Sequence, residues 1–164
     1  MPHIHTNDGE FDLTVSGYLV HDDKTLLIKH KKLPIWTPPS GHVELNQSPV
    51  DALYMEIREE AGIHESDLEL IETHQRPNTF VTSDDAVAIP LPFDLEHHPV
   101  TDGHRHINMS YALKSLTNHV EPGPGKSNTF KWFTVDELRA FGETNSSIIS
   151  SAIYAIERVR ESNQ

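Results

Sequence analysis

No cysteine occurs in the 164 residues. That single absence excludes disulfides, a thiolate zinc site and a cysteine nucleophile. No stretch reaches the ~18 consecutive apolar residues that a membrane-crossing helix needs. The opening MPHIHTNDGEFDLTV carries no apolar core of a secretory signal. A cytoplasmic protein without a membrane partner is the expectation. Basic residues are scarce as well: 13 Lys and Arg face 25 Asp and Glu, a formal net charge of −12. Such a chain repels DNA and RNA at long range, which argues against a nucleic-acid polymer as partner. A small phosphate-bearing ligand would have to be met locally, by a metal or a confined basic patch. Repeats and low-complexity linkers are missing too, and the length suits one domain over residues 1–164, with residues 1–10 polar and frayed.

What is present reads as alternating strands and helices. Leu13, Val15, Gly17 and Leu19 alternate with Thr14, Ser16, Tyr18 and Val20, and residues 25–29 form a second apolar run. The intervening His21-Asp22-Asp23-Lys24 has turn chemistry, so the pair predicts a β-hairpin. Trp36 to Gly41 reads as a rigid loop, because Pro38 and Pro39 cannot extend a central strand. Ser48 is an N-cap, Pro49 a first helical residue and Gly62 a left-handed stop, predicting a helix to about Ala61. Strand-like segments follow near 68–74, 79–82, 86–91 and 105–113, and again over 129–133. Val135 to Phe141 reads as a short helix. Ile148, Ile149, Ala152, Ile153, Ile156 and Val159 recur at helical spacing, predicting an amphipathic helix over 146–161. The expected class is α/β or α+β, a sandwich around a sheet.

The chemistry concentrates on the helix after Ser48. At about 100° per residue, Glu56, Glu59 and Glu60 share one arc. Val50, Leu53, Ile57 and Ala61 form a separate apolar face, and Ala52 on the carboxylate side is small enough to leave room. Like charges spaced this way cost an isolated helix a few tenths of a kcal/mol per pair. A hard divalent cation turns that repulsion into coordination, and Mg²⁺ favours oxygen ligands and phosphates. A bare acidic stripe is more often a solvated face, since acidic helix faces are common.

The surrounding register decides between them. Gly41, Glu56, Ile57, Glu59, Glu60, Gly62 and Ile63 fall in the spacing G-x5-E-x7-R-E-U-x-E-E-x-G-U, U being a bulky aliphatic. The stretch resembles the Nudix box, over residues 41–63. Two positions depart: Gln47 stands where the first Glu belongs and Met55 where the Arg belongs. Trp36 to Glu44 is similar to the family's W-x-L-P-G-G-x-x-E approach, with Pro38 and Ser40 as changes. Phe130 to Leu138 looks like its W-x-x-x-x-E-L element. His104, His106, Asn108 and Tyr111 resemble an H-x-H-x-D-x-x-Y pattern of one branch, with Asn108 for Asp.

That resemblance implies an α/β/α sandwich with a mixed sheet. It further implies a Mg²⁺-dependent hydrolase, Mn²⁺ being the alternative ion, that cleaves a diphosphate linkage in a nucleoside diphosphate-X small molecule. By position, Glu56 and Glu60 become the metal ligands. Glu59 becomes a third ligand or the group orienting the attacking water, so Glu59 and Glu56 are the catalytic candidates. The backbone carbonyl of Ser40 is a further ligand candidate, and Asp84, Asp85 and Glu96 are candidate bases outside the box. Homodimers are frequent in the family. Gln47 and Met55 replace a pair usually of opposite charge, so losing both leaves no charge stranded. The same two changes favour the alternative reading, a catalytically silent domain that binds a nucleotide or metabolite.

Other residues admit two readings each. His97, His98, His104 and His106 invite zinc, yet His104, His106, Asn108 and Ser110 are also simply the polar alternates of a strand, whose cleft-lining members could hydrogen-bond a substrate. Lys29 to Lys32 is the compact basic run, from which Lys31 is the substrate-binding candidate, with Arg76 and Arg105 as further phosphate binders. Trp36, Tyr18, Phe80 and Phe93 are candidates for stacking on a base, against a core role.

Overall fold

A computed structural model describes residues 9–77, 83–100 and 103–164. Its centre is one long strand, β1 (Phe11–His21), which reverses into β2 (Lys24–Lys29). Asp22 and Asp23 take positive φ, 45° and 60°, at that turn. Paired left-handed residues match the twist of a two-residue hairpin, and Asp tolerates them. Residues 14–20 of β1 are all buried, as in a strand covered on both faces.

The sequence separates β1 from its main partner by most of the chain. That partner is β7 (Arg105–Ser115), paired in parallel from Phe11 opposite Arg105 to Val20 opposite Lys114. The remaining strands add antiparallel to this pair. Two short strands, β3 (Trp36–Thr37) and β4 (Ser40–His42), lie on β2 and on the first half of β1. Next come β5 (Leu68–Ile71) on the second half of β7 and β6 (Asp94–Pro99) on its first half. The last, β8 (Phe130–Phe133), pairs with β2.

Three helices cover this mixed sheet. One face packs α1 (Pro49–Ala61): Leu53, Ile57 and Ala61 join Val15, Leu19, Leu26 and Leu113. The other face packs α2 (Val135–Ala140) and α3 (Ser146–Ser162): Leu138, Ala152, Ile156 and Val159 meet Tyr18, Leu27, Ala112 and Phe133. The result is the expected α/β/α sandwich. Each fully buried Leu or Ile in it contributes about 1.5–3 kcal/mol relative to exposure.

Several expectations need correction. Residues 86–91 form no strand; they follow a turn closed by Ala86 N–H donating to the Ser83 carbonyl, and Pro90 and Pro92 cannot donate to a ladder. The strand near 68–74 ends at Ile71. Pro38 and Pro39 do stay outside the sheet, but the loop they stiffen is flanked by β3 and β4. Polar β6 went unread, because DLEHHP lacks an apolar alternation. Ala52 is fully buried while Val50 is only partly so, which turns the helix's buried face slightly toward the carboxylates. The strand expected at 79–82, Phe80 and residues 1–8 lie outside the described residues.

Candidate functional site

Local rules set α1 in place. The Ser48 hydroxyl accepts from Asp51 N–H, and the Asp51 carboxylate accepts from Ser48 N–H, a reciprocal cap. At the other end Gly62 has φ 70°, which its lack of a Cβ permits. The helix therefore starts and stops at fixed points, and Glu56, Glu59 and Glu60 emerge beside β4.

Their environments differ. Glu56 is buried with only 4 % exposure, and burial pushes its carboxyl up to about 7, Lys126 opposing and the neighbouring carboxylates adding to the rise. Gly41 lies directly against it: a Cβ there would stand 2.1 Å from the Glu56 carboxylate carbon. Glu60 is also raised, by burial first, and its Oε2 accepts from Ser40 N–H at 3.0 Å. Glu59 is more open. Lys126, from the loop after Pro122-Gly123-Pro124-Gly125, places its Nζ 3.0 Å from Glu59 and 3.6 Å from Glu56.

A cleft of about 540 Å³ opens here, within the 300–1,000 Å³ typical of small-molecule sites. Glu56, Glu60, Ser40, Gly41 and Lys126 line it on one side. Thr14, Ser16 and Asn108 form a polar wall, with Asn108 Oδ1 accepting from both hydroxyls at 3.0 Å. Tyr18, Glu96, His98 and His106 also line it.

Farther along the same sheet lies a second constellation. Asp12 on β1, His42 on β4, His104 just before β7 and His106 on β7 bring their donor atoms within 4.8 Å of one another. His104 Nε2 is 3.2 Å and His42 Nε2 3.7 Å from Asp12 Oδ2. Burial, then the neighbouring His42, His98 and His104, lower His106 to about 4. This His/Asp cluster is capable of binding a divalent metal.

The other candidates fall elsewhere. Lys31 is exposed and donates to the Gly125 carbonyl on the Lys126 loop. Arg76 donates to the Ile89 carbonyl and is not among the cleft-lining residues. Asp84 and Asp85 sit on an exposed turn away from the cleft, whereas Glu96 reaches it. Arg105 lies over the Phe11 ring. Trp36 packs edge-on against Phe133 and Phe141, a core role, while Phe93 packs between Tyr18 and Tyr154. His97 contacts Phe11 rather than the histidine cluster. Gln47 and Met55 meet directly: Gln47 Nε2 donates to Met55 Sδ at 3.1 Å, and its Oε1 accepts from Glu44 N–H. Lys126, Asp12 and His42 were missed by sequence reasoning. A lone lysine after a glycine-rich turn, and single polar residues at strand ends, carry no local signal of a site.

A mixed sheet between helices, with an acidic helix pressed on the β4 glycine beside a cleft, defines one class of α/β/α sandwich. The chain matches the family described as "NUDIX domain" over residues 10–151, and it belongs to that family. It is similar to a Nudix-family hydrolase from Clostridium perfringens, 25% identical with a TM-score of 0.77 over 90% of this chain and 97% of that one. Among curated relatives, the bis(5′-nucleosyl)-tetraphosphatase (asymmetrical) of Mus musculus is 41% identical over 46 residues, 28% of this chain and 31% of that protein. The m7GpppN-mRNA hydrolase NUDT17 of Homo sapiens is 36% identical over 63 residues, 35% of this chain and 19% of that protein. The chain thus spans less than a third of the length of these two curated relatives. Family membership rests on the domain match, and the His/Asp cluster adds a group able to hold a divalent ion.

Proposed function

We propose that this protein hydrolyses a phosphoanhydride in a nucleoside diphosphate-X small molecule, using Mg²⁺ or Mn²⁺ held by α1. The observation that carries this reading is the convergence of Glu56 and Glu60 on one nucleotide-sized cleft, with the Ser40–Gly41 backbone against them. Buried carboxylates whose charged form is disfavoured are where a hard cation gains most, and three carboxylates offer only oxygen donors. The residues therefore fit Mg²⁺. Glu56, Glu60 and Glu59 would hold it, with the Ser40 carbonyl as a further ligand. Bound there, the ion would lower the pKa of water and neutralise charge growing on phosphoryl oxygens.

The chain's own groups divide the remaining work. Glu59, the most open of the three helix carboxylates, is either the third ligand or the group that orients the attacking water, and Glu96, which also lines the cleft, is a base candidate. Lys126 offers its ammonium to a non-bridging phosphate oxygen. Thr14, Ser16 and Asn108 supply hydrogen bonds to sugar or base, and His106 adds one more. A small nucleotide fits this chemistry better than a polymer, since the net charge of −12 repels long polyanions.

The test is chromatographic detection of the nucleoside phosphate and the second phosphorylated product released from nucleoside triphosphates, dinucleoside polyphosphates, ADP-ribose and nucleotide sugars, with and without Mg²⁺, beside Glu60→Gln. Mg²⁺-dependent turnover lost in the variant supports hydrolysis. Nucleotide binding without turnover across the panel would instead favour a silent binding domain, for which the neutral Gln47–Met55 contact is the specific pointer.

A further inference from the structure

Three strands meet where β1, β4 and β7 run side by side. Asp12 stands opposite His106 across the parallel pair, and Thr14 opposite His42 across the antiparallel one. His104 enters from just outside β7. Three donors from three strands, with a fourth from the approach to β7, thereby converge, although no two of those strands are neighbours in sequence.

The donor chemistry is selective. Imidazole nitrogens suit zinc, copper, nickel and iron, whereas Mg²⁺ wants oxygen and retains its waters. Three imidazoles with one carboxylate therefore favour a borderline transition ion. A tetrahedral ion with bonds near 2.0–2.1 Å sets its ligand atoms about 3.3 Å apart. Asp12 Oδ2 and His104 Nε2 already stand at 3.2 Å, and Asp12 Oδ2 and His42 Nε2 at 3.7 Å. The whole set, within 4.8 Å, needs only side-chain contraction to close.

One carboxylate neutralises one imidazolium, yet three rings crowd around it, with His106 5.0 Å from the His42 ring and 5.3 Å from His104. His106 Nε2 is buried with no hydrogen-bond partner among the described residues. Polar atoms buried this way are costly unless something ligates them.

We infer that Asp12, His42, His104 and His106 form a transition-metal site, zinc foremost, separate from the carboxylates of α1. His42 and His106 also line the cleft, so an ion held there would be a second cation facing the same ligand. Nothing in this inference requires that the protein hydrolyse anything.

The experiment uses untagged, full-length protein stripped with a chelator and titrated with Zn²⁺ in excess Mg²⁺, followed by calorimetry. One equivalent of Zn²⁺ should bind, undisturbed by Mg²⁺. Affinity should fall at least about tenfold in His106→Gln and in His104→Gln, and stay unchanged in Glu56→Gln combined with Glu60→Gln. Co²⁺ should give the ligand-field absorption of a nitrogen-rich four-coordinate site. No zinc uptake, or uptake abolished by the glutamate substitutions and untouched by the histidine ones, overturns the inference. Circular dichroism of the metal-free variants checks folding. If the histidine variants do not fold, imidazole NMR resonances of the wild type decide: Zn²⁺ must shift those of His42, His104 and His106, and unshifted signals refute the site.

Discussion

Gly41 and Glu56 are in contact so close that no side chain fits between them. A Cβ on residue 41 would lie 2.1 Å from the Glu56 carboxylate carbon and 2.6 Å from its Cγ. The β4 glycine and the helix glutamate are thus one unit: the bare Cα sets how deeply the carboxylate sits.

Gly41→Ala should therefore harm the site more than the fold. The methyl group has to push Glu56 out of position, and overpacking a buried spot costs about 1–3 kcal/mol. Displacing a reacting group by about 1 Å can cost roughly 10²-fold in rate. Thermal melting should show a modest loss while Mg²⁺-dependent turnover collapses. Wild-type turnover in the alanine variant would mean that Glu56 needs no such seat.

Gln47 and Met55 give a second prediction. Their amide-to-thioether contact is the neutral counterpart of an ion pair between the loop and α1. Gln47→Glu alone places a carboxylate against sulfur, and Met55→Arg alone places an unpaired cation there. Each should destabilise, and the double variant should recover, with a coupling of about 0.5–3 kcal/mol in a thermodynamic cycle. The restored carboxylate should also change Mg²⁺ affinity or rate. Additive single effects and unaltered Mg²⁺ dependence would remove this account of the pair.

How far this was readable follows from how local each feature is. The helix α1 is written in adjacent residues: Ser48 and Asp51 cap it, Gly62 ends it, and three glutamates fall on one arc. Its chemistry was visible for that reason, and so was the hairpin around Asp22 and Asp23. The sheet order was not, because β1 pairs in parallel with β7 and no local pattern fixes which distant strand comes alongside. The consequence reaches the sites. Asp12 and His42 are single polar residues until the β1–β7 pairing carries His104 and His106 to them. The zinc reading of the sequence named His97, His98, His104 and His106; His104 and His106 do join the cluster, whereas strand alternation and pairing put His97 on Phe11. Lys126 likewise acquires meaning only when its loop folds over α1.

Lys126 supplies the third prediction. Its ammonium sits among the carboxylates where a divalent ion would also be drawn, 3.0 Å from Glu59. Lys126→Met removes that competitor. Mg²⁺ binding measured by calorimetry in the absence of nucleotide should tighten by up to roughly fivefold, the scale of about 1 kcal/mol expected of a partly exposed ion pair. With nucleotide present, the loss of a phosphate partner should raise KM. Weaker Mg²⁺ binding in the variant would show that the lysine shapes the site instead of competing for it.

The fourth prediction concerns stability against pH and lies far from the cleft. Glu137 is the third residue of α2; its carboxylate accepts from Thr134 N–H at 2.9 Å and pairs with Lys131 Nζ at 2.9 Å. The backbone hydrogen bond first, then the lysine, hold its carboxyl down at about 2, against the ordinary 4.5. Unfolding releases it to that ordinary value, so between the two values the unfolded chain binds more protons. The stabilisation is therefore complete above pH 4.5 and is lost as pH falls through 2. Glu137→Gln should lower the melting temperature at pH 7, and the gap from wild type should narrow steadily from pH 4.5 downward. Thermal melts of both proteins at pH 7, 5, 4 and 3 test this. A gap that persists undiminished at pH 3 would assign the effect to side-chain shape, not to charge.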